Sequence, residues 1–241
     1  MRYAILSDIH ANLEALNSVL EKIDSLGVDK TVCLGDIVGY NSNPNECIEI
    51  IKKRGIHCIM GNHDSRAAGI EEPRDFNPMA AEALYWTRKE LTANNRDFLE
   101  GLPRKSIVDN AFLAFHGWIN STDGYIFSEN DAAENFKLMD EATIAFFGHT
   151  HVRLAYVETG GRVTTSLDHR FKLEKGLRYL VNPGGAGQPR DRDPRAPFLV
   201  YDHENGEITF YRVEYDMEKC AEKILLSGLP ATLAERLKSG R

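Results

Sequence analysis

Five short polar clusters carry residue types suited to metal chemistry: Asp8-Ile9-His10, Gly35-Asp36, Gly61-Asn62-His63-Asp64, His116-Gly117 and Gly148-His149-Thr150-His151. Each follows a short apolar run, at the point where the strand it predicts would end. In open α/β sheets the carboxyl ends of strands converge on one crevice, so residues distant in sequence would meet there. Asp, Asn and His are oxygen and imidazole donors for divalent first-row metals. Within Asp8-x-His10 and His149-x-His151 the donors are two apart, and in an extended segment such residues point the same way. Asp8, His10, Asp36, Asn62, His116, His149 and His151 together exceed one tetrahedral shell. With Asp36 as a bridge, two ions receive about four protein ligands each, leaving room for water and substrate.

The elements that must position these residues follow from periodicity. Tyr3 to Leu6 predicts a strand. Leu13, Leu16, Leu20 and Ile23 recur at helical spacing, and Gly27 stops that helix. Thr31 to Leu34 predicts a second strand. Asn43-Pro44-Asn45-Glu46 reads as a helix start, with Asn as cap, Pro at the first helical position and Glu reaching back; the helix runs to Gly55. Ile56 to Met60 predicts a third strand, and this alternation implies β-α-β units and a largely parallel sheet. Asn77-Pro78 starts a helix, and a second short one spans Asp97 to Gly101, so residues 66–103 read as a helical insertion over one end of the sheet. Ser106 to Val108 and Phe112 to Phe115 flank Asp109-Asn110 as a hairpin. A helix over Asp131 to Met139 and a strand over Thr143 to Phe147 follow. The remainder is mostly β: hairpins turn at Gly160-Gly161 and Asn205-Gly206, then a helix starts near Met217 and is interrupted at Pro230. One domain of two sheets over residues 1–241 is the simplest account.

Composition bounds the function. The chain has 241 residues, 42% hydrophobic and 27% charged, which excludes a disordered chain or a fibrous repeat. A net charge of −7 argues against general coating of nucleic acid. Cys33, Cys47, Cys58 and Cys220 form no C-x-x-C pair and fit no zinc module. Asp8 and His10 break the first apolar stretch too early for a signal peptide, and no window approaches a membrane span. The expected setting is a reducing, cytoplasmic one, away from membranes.

The five clusters, in this order, resemble the calcineurin-like metallophosphoesterase superfamily, whose pattern runs D-x-H, G-D, G-N-H, H and G-H-x-H. Val38-Gly39-Tyr40 and the segment Asn182-Pro183-Gly184-Gly185 with Gln188-Pro189-Arg190-Asp191 resemble the small bacterial phosphoesterase members. The resemblance implies an α/β fold, a two-sheet β-sandwich flanked by helices, with a dinuclear centre. It implies one metal site from Asp8, His10, Asp36 and His151 and a second from Asp36, Asn62, His116 and His149. Where Ser/Thr protein phosphatases of the superfamily carry Asp and Arg, this chain has Gly39 and Tyr40, which argues against a protein phosphatase and leaves the partner of His63 unassigned.

The expected activity is hydrolysis of a small phosphate mono- or diester by a metal-bound hydroxide, with in-line attack on phosphorus. His63, beside Asn62 at a strand end, would point toward the leaving group as general acid. A nucleoside polyphosphate or cyclic nucleotide hydrolase is the alternative, and a non-catalytic interaction scaffold on the same fold is the alternative of another class. The expected cofactors are two divalent ions among Mn, Fe, Zn, Co and Ni, with Mn preferred for assay. Arg190, Trp118 and Asn182 are the candidate substrate contacts; the alternative for the Arg190, Arg192 and Arg195 loop is local pairing with Asp191 and Asp193. The helical insertion is a candidate surface for an oligomer.

Overall fold

Strand β1 (Arg2–Leu6) shows why the chain needs covering on two sides. Tyr3 and Ile5 point one way, Ala4 and Leu6 the other, and all four are buried. In the computed structural model, which describes residues 1–241, the first pair enters a core between two six-stranded sheets and the second a core beneath helices. The first sheet has the order β3 (His57–Cys58), β2 (Lys30–Cys33), β1, β11 (Ala196–Asp202), β12 (Glu207–Val213), β9 (Arg170–Lys172). The second has the order β4 (Lys105–Val108), β5 (Phe112–Phe115), β6 (Ile144–Phe146), β10 (Arg178–Asn182), β7 (Leu154–Thr159), β8 (Arg162–Ser166). The result is the expected two-sheet sandwich flanked by helices.

Helices cover the outer face of each sheet. Helix α1 (Leu13–Ser25), α2 (Pro44–Arg54), α3 (Asn62–Ala68), α4 (Pro78–Glu90), α5 (Ala93–Glu100), α7 (Met217–Leu226) and α8 (Ala231–Ser239) contribute to the core on the first sheet. Helix α6 (Glu129–Lys137) supplies Ala132 and Phe136 to the core on the second. Asn12, Asn77 and Thr92 cap α1, α4 and α5 through side-chain oxygens. No helix is long and apolar enough to cross a membrane. All four cysteines are free and buried.

Several local expectations change. The first sheet is parallel only over β1, β2 and β3; β1–β11, β11–β12 and β12–β9 pair antiparallel, because β11 enters beside β1 from the second sheet and β12 folds back on it as a hairpin, with β9 at its far edge. Strand β3 is two residues long, because beyond it the Met60 N–H donates to Pro103 O at 2.8 Å, outside the ladder. Asn43 stands at the N-cap of α2 but makes no capping bond; its amide donates to Glu46 Oε1 and its oxygen accepts from Lys223 Nζ. Strand β9 was not predicted, and neither was α3.

Candidate metal centre

Two sheets contribute to one cluster. From the first come Asp8 and His10 after β1, Asp36 after β2, and Asn62 and His63 at the start of α3; from the second come His116 after β5 and His149 and His151 after β6. The loops are tied to each other by main-chain bonds. Asp8 N donates to Gly35 O at 3.0 Å, His10 N to Asp36 O at 2.9 Å, and Gly148 N to His116 O at 2.8 Å. His149 N crosses between the halves to Asp8 Oδ2 at 3.1 Å.

The donor atoms fall into two groups, each within 4.8 Å: Asp8, His10, Asp36 and His151, and Asp36, His116 and His149. Asp36 belongs to both. Asn62 Oδ1 lies 3.2 Å from His116 Nε2, beside the second group. Three imidazoles are oriented by main-chain carbonyls: His10 Nδ1 on Val38 O at 3.0 Å, His116 Nδ1 on Leu34 O at 2.8 Å, and His151 Nδ1 on Gln188 O at 2.6 Å. With Nδ1–H donating outward, each Nε2 lone pair faces the cluster, the usual support for a metal-ligating histidine. In His149 it is Nε2 that meets a carbonyl, Asp123 O at 3.2 Å, leaving Nδ1 for the cluster.

The backbone that aims these side chains is left-handed, not extended. Asp8, His10, Asp36, His149 and His151 have φ of 54°, 48°, 53°, 65° and 58°. The two-apart argument therefore fails for His149 and His151, which serve different groups. His63 diverges from Asn62 because both lie in the first turn of a helix, not at a strand end. At Gly61 a Cβ would collide with the Asp36 carboxylate, so glycine lets the loops meet.

Electrostatics show a cluster that needs cations. Burial raises the pKa of Asp36, but His116 and His63 outweigh it and hold the group well below the usual carboxylate range. Burial opposes charge on His116, yet Asp36 and Asp8 lift its pKa to about 10. The protein without ions thus keeps a proton on His116 between two buried carboxylates. Burial and His116 push His149 down to about 3. Asp36 Oδ2 is buried and its one near donor is His116 Nε2 at 3.2 Å, whose proton a bound cation would displace. Oxygen and imidazole donors with a buried carboxylate oxygen fit divalent ions, and the group is a buried Asp/His cluster for metal binding.

Beside it opens a cleft of about 450 Å³, lined by Tyr40, Asn62, His63, Arg66, Asp75, Phe76, Asn77, Asp123, Tyr125 and His149. His63 is held by ring packing on Tyr40, His10 and Phe76, with centroids 4.6, 4.7 and 5.0 Å away. Its Nδ1 has no partner, and burial, first among the causes, lowers its pKa to about 4. A Cβ at Gly39 would strike that Nδ1, so the position where a carboxylate was missed is filled by the His63 ring itself.

The other candidates divide. Arg190 reaches Tyr40 at the cleft, its Nη2 donating to the phenol oxygen at 3.3 Å. Arg195 pairs with Asp193, the local pairing weighed for that loop, whereas Asp191 pairs with Arg212 on β12. Trp118 does not line the cleft: its Nε1 donates to Tyr125 O, and it borders a separate hollow with Arg104 and Asn120. Asn182 is fully buried behind the His149–His151 loop, donating to Gly148 O and Thr150 Oγ1 and accepting from Gly184 N. Every polar atom of its amide is used within the protein, so it positions ligands rather than touching substrate.

Three functional neighbours escaped the sequence reading. Asp64 accepts from Ile37 N, Val38 N and Gly61 N, which clamps the Asp36 loop to α3; its place three residues after a helix-capping glycine was the available signal. Tyr125 stacks on His149 at 3.9 Å and Phe76 packs on His63, and neither stands in a periodic segment.

A family model described as the calcineurin-like phosphoesterase superfamily domain matches residues 1–206. A protein of Methanocaldococcus jannaschii is 37% identical over 241 residues, covering 99% of this chain and 98% of its own. A crystal structure of a metallophosphoesterase from Sphaerobacter thermophilus superposes with a TM-score of 0.88 at 38% identity, covering 100% of this chain and 99% of that one. A hypothetical protein from Pyrococcus horikoshii shares the fold at 24% identity and a TM-score of 0.82, covering 100% and 98%.

Proposed function

The chain belongs to the calcineurin-like phosphoesterase superfamily and is a metallophosphoesterase, and we propose that it hydrolyses small phosphate mono- or diesters with two divalent ions in the cluster. The observation that carries this reading is the sharing of Asp36 by both donor groups. One ion would be held by Asp8, His10, Asp36 and His151, the other by Asp36, Asn62, His116 and His149. When bound, such ions lower the pKa of water and neutralise phosphoryl oxygens.

The chain's own residues supply the rest. Asp36 offers one oxygen to the cluster, while Oδ1 accepts from His63 N at 2.8 Å, which fixes the carboxylate plane. Asp64 holds the Asp36 loop in place. His63 lines the cleft with an unpartnered ring nitrogen, and we assign it the proton that the leaving oxygen takes, the negative charge of a bound phosphate ester offsetting the burial that otherwise holds its pKa at about 4. Tyr125 and Phe76 wall the cleft and keep water from the rings they cover.

Metal dependence tests the reading. Chelation should abolish hydrolysis of p-nitrophenyl phosphate or its bis ester, and Mn should restore it. Full activity in a stripped sample, verified by metal analysis, would sink the dinuclear reading.

A further inference from the structure

Two guanidinium groups close on one tyrosine at the rim of the cleft. Arg190, in the loop after β10, and Arg236, on α8, place their guanidinium carbons 5.8 and 5.9 Å from the Tyr40 ring centroid. Tyr40 packs in turn on His10 and His63, each centroid 4.6 Å away. No Asp or Glu side chain pairs with either arginine. Arg190 Nη2 makes two long bonds, to Tyr40 Oη at 3.3 Å and Gln188 Oε1 at 3.4 Å, and its buried Nε has no acceptor. Arg236 donates through Nε to Arg241 O at 2.9 Å. Nearby arginines are satisfied differently: Arg66 by Glu71 and Asp123, Arg195 by Asp193, Arg212 by Asp191.

Two half-buried like charges on one ring repel, and burial together with Arg190 lowers the pKa of Arg236. Such a pair is stabilised when an anion joins it. The two are held differently. The Arg190 main-chain N–H donates to His151 O at 3.2 Å, which ties that residue to the edge of the metal cluster. Arg236 comes from a terminal helix outside it. Of the two, Arg190 is thus the one joined to the cluster by the main chain, and Arg236 the one brought in from outside.

We propose that Arg190 and Arg236 bind a second phosphate of the substrate, adjacent to the one taken by the metal cluster, so that diphosphate-type esters are preferred over monophosphates. This rests on the reading of the cluster as a phosphoesterase centre. Guanidinium forks match phosphate oxygens in pairs, and the two forks lie 5.8 and 5.9 Å from the Tyr40 ring centroid.

The test compares inorganic phosphate with methylenebisphosphonate, a non-hydrolysable diphosphate, as inhibitors of p-nitrophenyl phosphate hydrolysis. The Mn-loaded wild type should bind the bisphosphonate at least about tenfold more tightly than phosphate, the scale of one charge-assisted contact. Arg236→Gln should lose about tenfold on the bisphosphonate and several-fold less on phosphate, with Arg236→Lys recovering part of the loss. Equal losses on both anions, or none on either, overturn the proposal. Inhibition by chelation alone gives the same affinity in wild type and variant, and so counts against it. Calorimetric titration of the Mn-loaded proteins makes the same comparison without turnover. If the wild type hydrolyses nothing, the phosphoesterase reading falls, and the calorimetric ratio still decides the arginine clamp.

Discussion

Left-handed backbone serves different ends in two settings of this molecule, the hairpin turns and the cluster loops; elsewhere it closes helices, as at Gly55, Gly69 and Gly240. In the β4–β5 turn it falls on Asp109 and Asn110, and in the β7–β8 turn on Gly160 and Gly161. These residue types tolerate positive φ, and all four positions are exposed. In the cluster loops it falls on Asp8, His10, Asp36, His149 and His151, all buried. Any non-glycine residue in that region is uncommon, and each costs on the order of 1–3 kcal/mol, here in five buried positions rather than on an exposed turn. The turns use left-handed residues because the strand twist requires them. The cluster loops use them to bring donor atoms together, and the interlocking main-chain bonds of Gly35, His116 and Asp8 hold the strain in place.

The comparison can be broken from its strained side first. Asp36→Asn should lose metal occupancy as well as turnover, with activity down by more than about 10³, since both donor groups use this carboxylate. Metal analysis of the folded variant checks it; two ions and a near-normal rate would show that Asp36 does not bridge. His63→Ala should keep both ions and slow the reaction by about 10²–10⁴. The loss should be much greater on an ester with an alkoxide leaving group than on a nitrophenyl ester, which departs without a proton. Equal losses would restrict His63 to charge stabilisation. The smallest effect sharpens the contrast. Gly160→Ala, at φ +58° with open space around it, should cost about 1 kcal/mol in a denaturant melt and leave hydrolysis unchanged. Gly39→Ala, at φ +97° against His63, should cost more in the same melt and slow turnover too. Matching behaviour of the two alanines would remove the distinction between turn and site.

The same contrast explains what sequence reasoning reached. Asp8, His10, Asp36, His116, His149 and His151 were legible because their types are rare at the ends of apolar runs, and the hairpins because Asp109-Asn110 and Gly160-Gly161 name their own conformation. Helix α3 was hidden by its first turn, where Gly61 caps and Asn62 and His63 serve the cleft, so no apolar stripe marks it. Strand β9 is three residues with one apolar member, too short for alternation to register. Trp118 is close to His116 in sequence, but the bend at His116 and Gly117 and the tight turn closed by Trp118 and Ser121 carry it to another hollow. Tyr125, Phe76 and Arg236 arrive from segments whose position depends on tertiary packing alone.

The division of the cluster between two sheets also bears on when it can exist. His10 and His151 bring Nε2 atoms within 3.1 Å across 141 positions, and the strand that seats the second sheet against the first, β11, lies later still. Contacts this distant in sequence form after local ones, because a long loop must close first. A chain emerging from synthesis therefore completes β1, α1 and β2 long before it owns a full set of donors. For most of that interval Asp8 and Asp36 are two carboxylates without their histidines, and ion capture becomes a late, whole-chain event rather than a seed for folding.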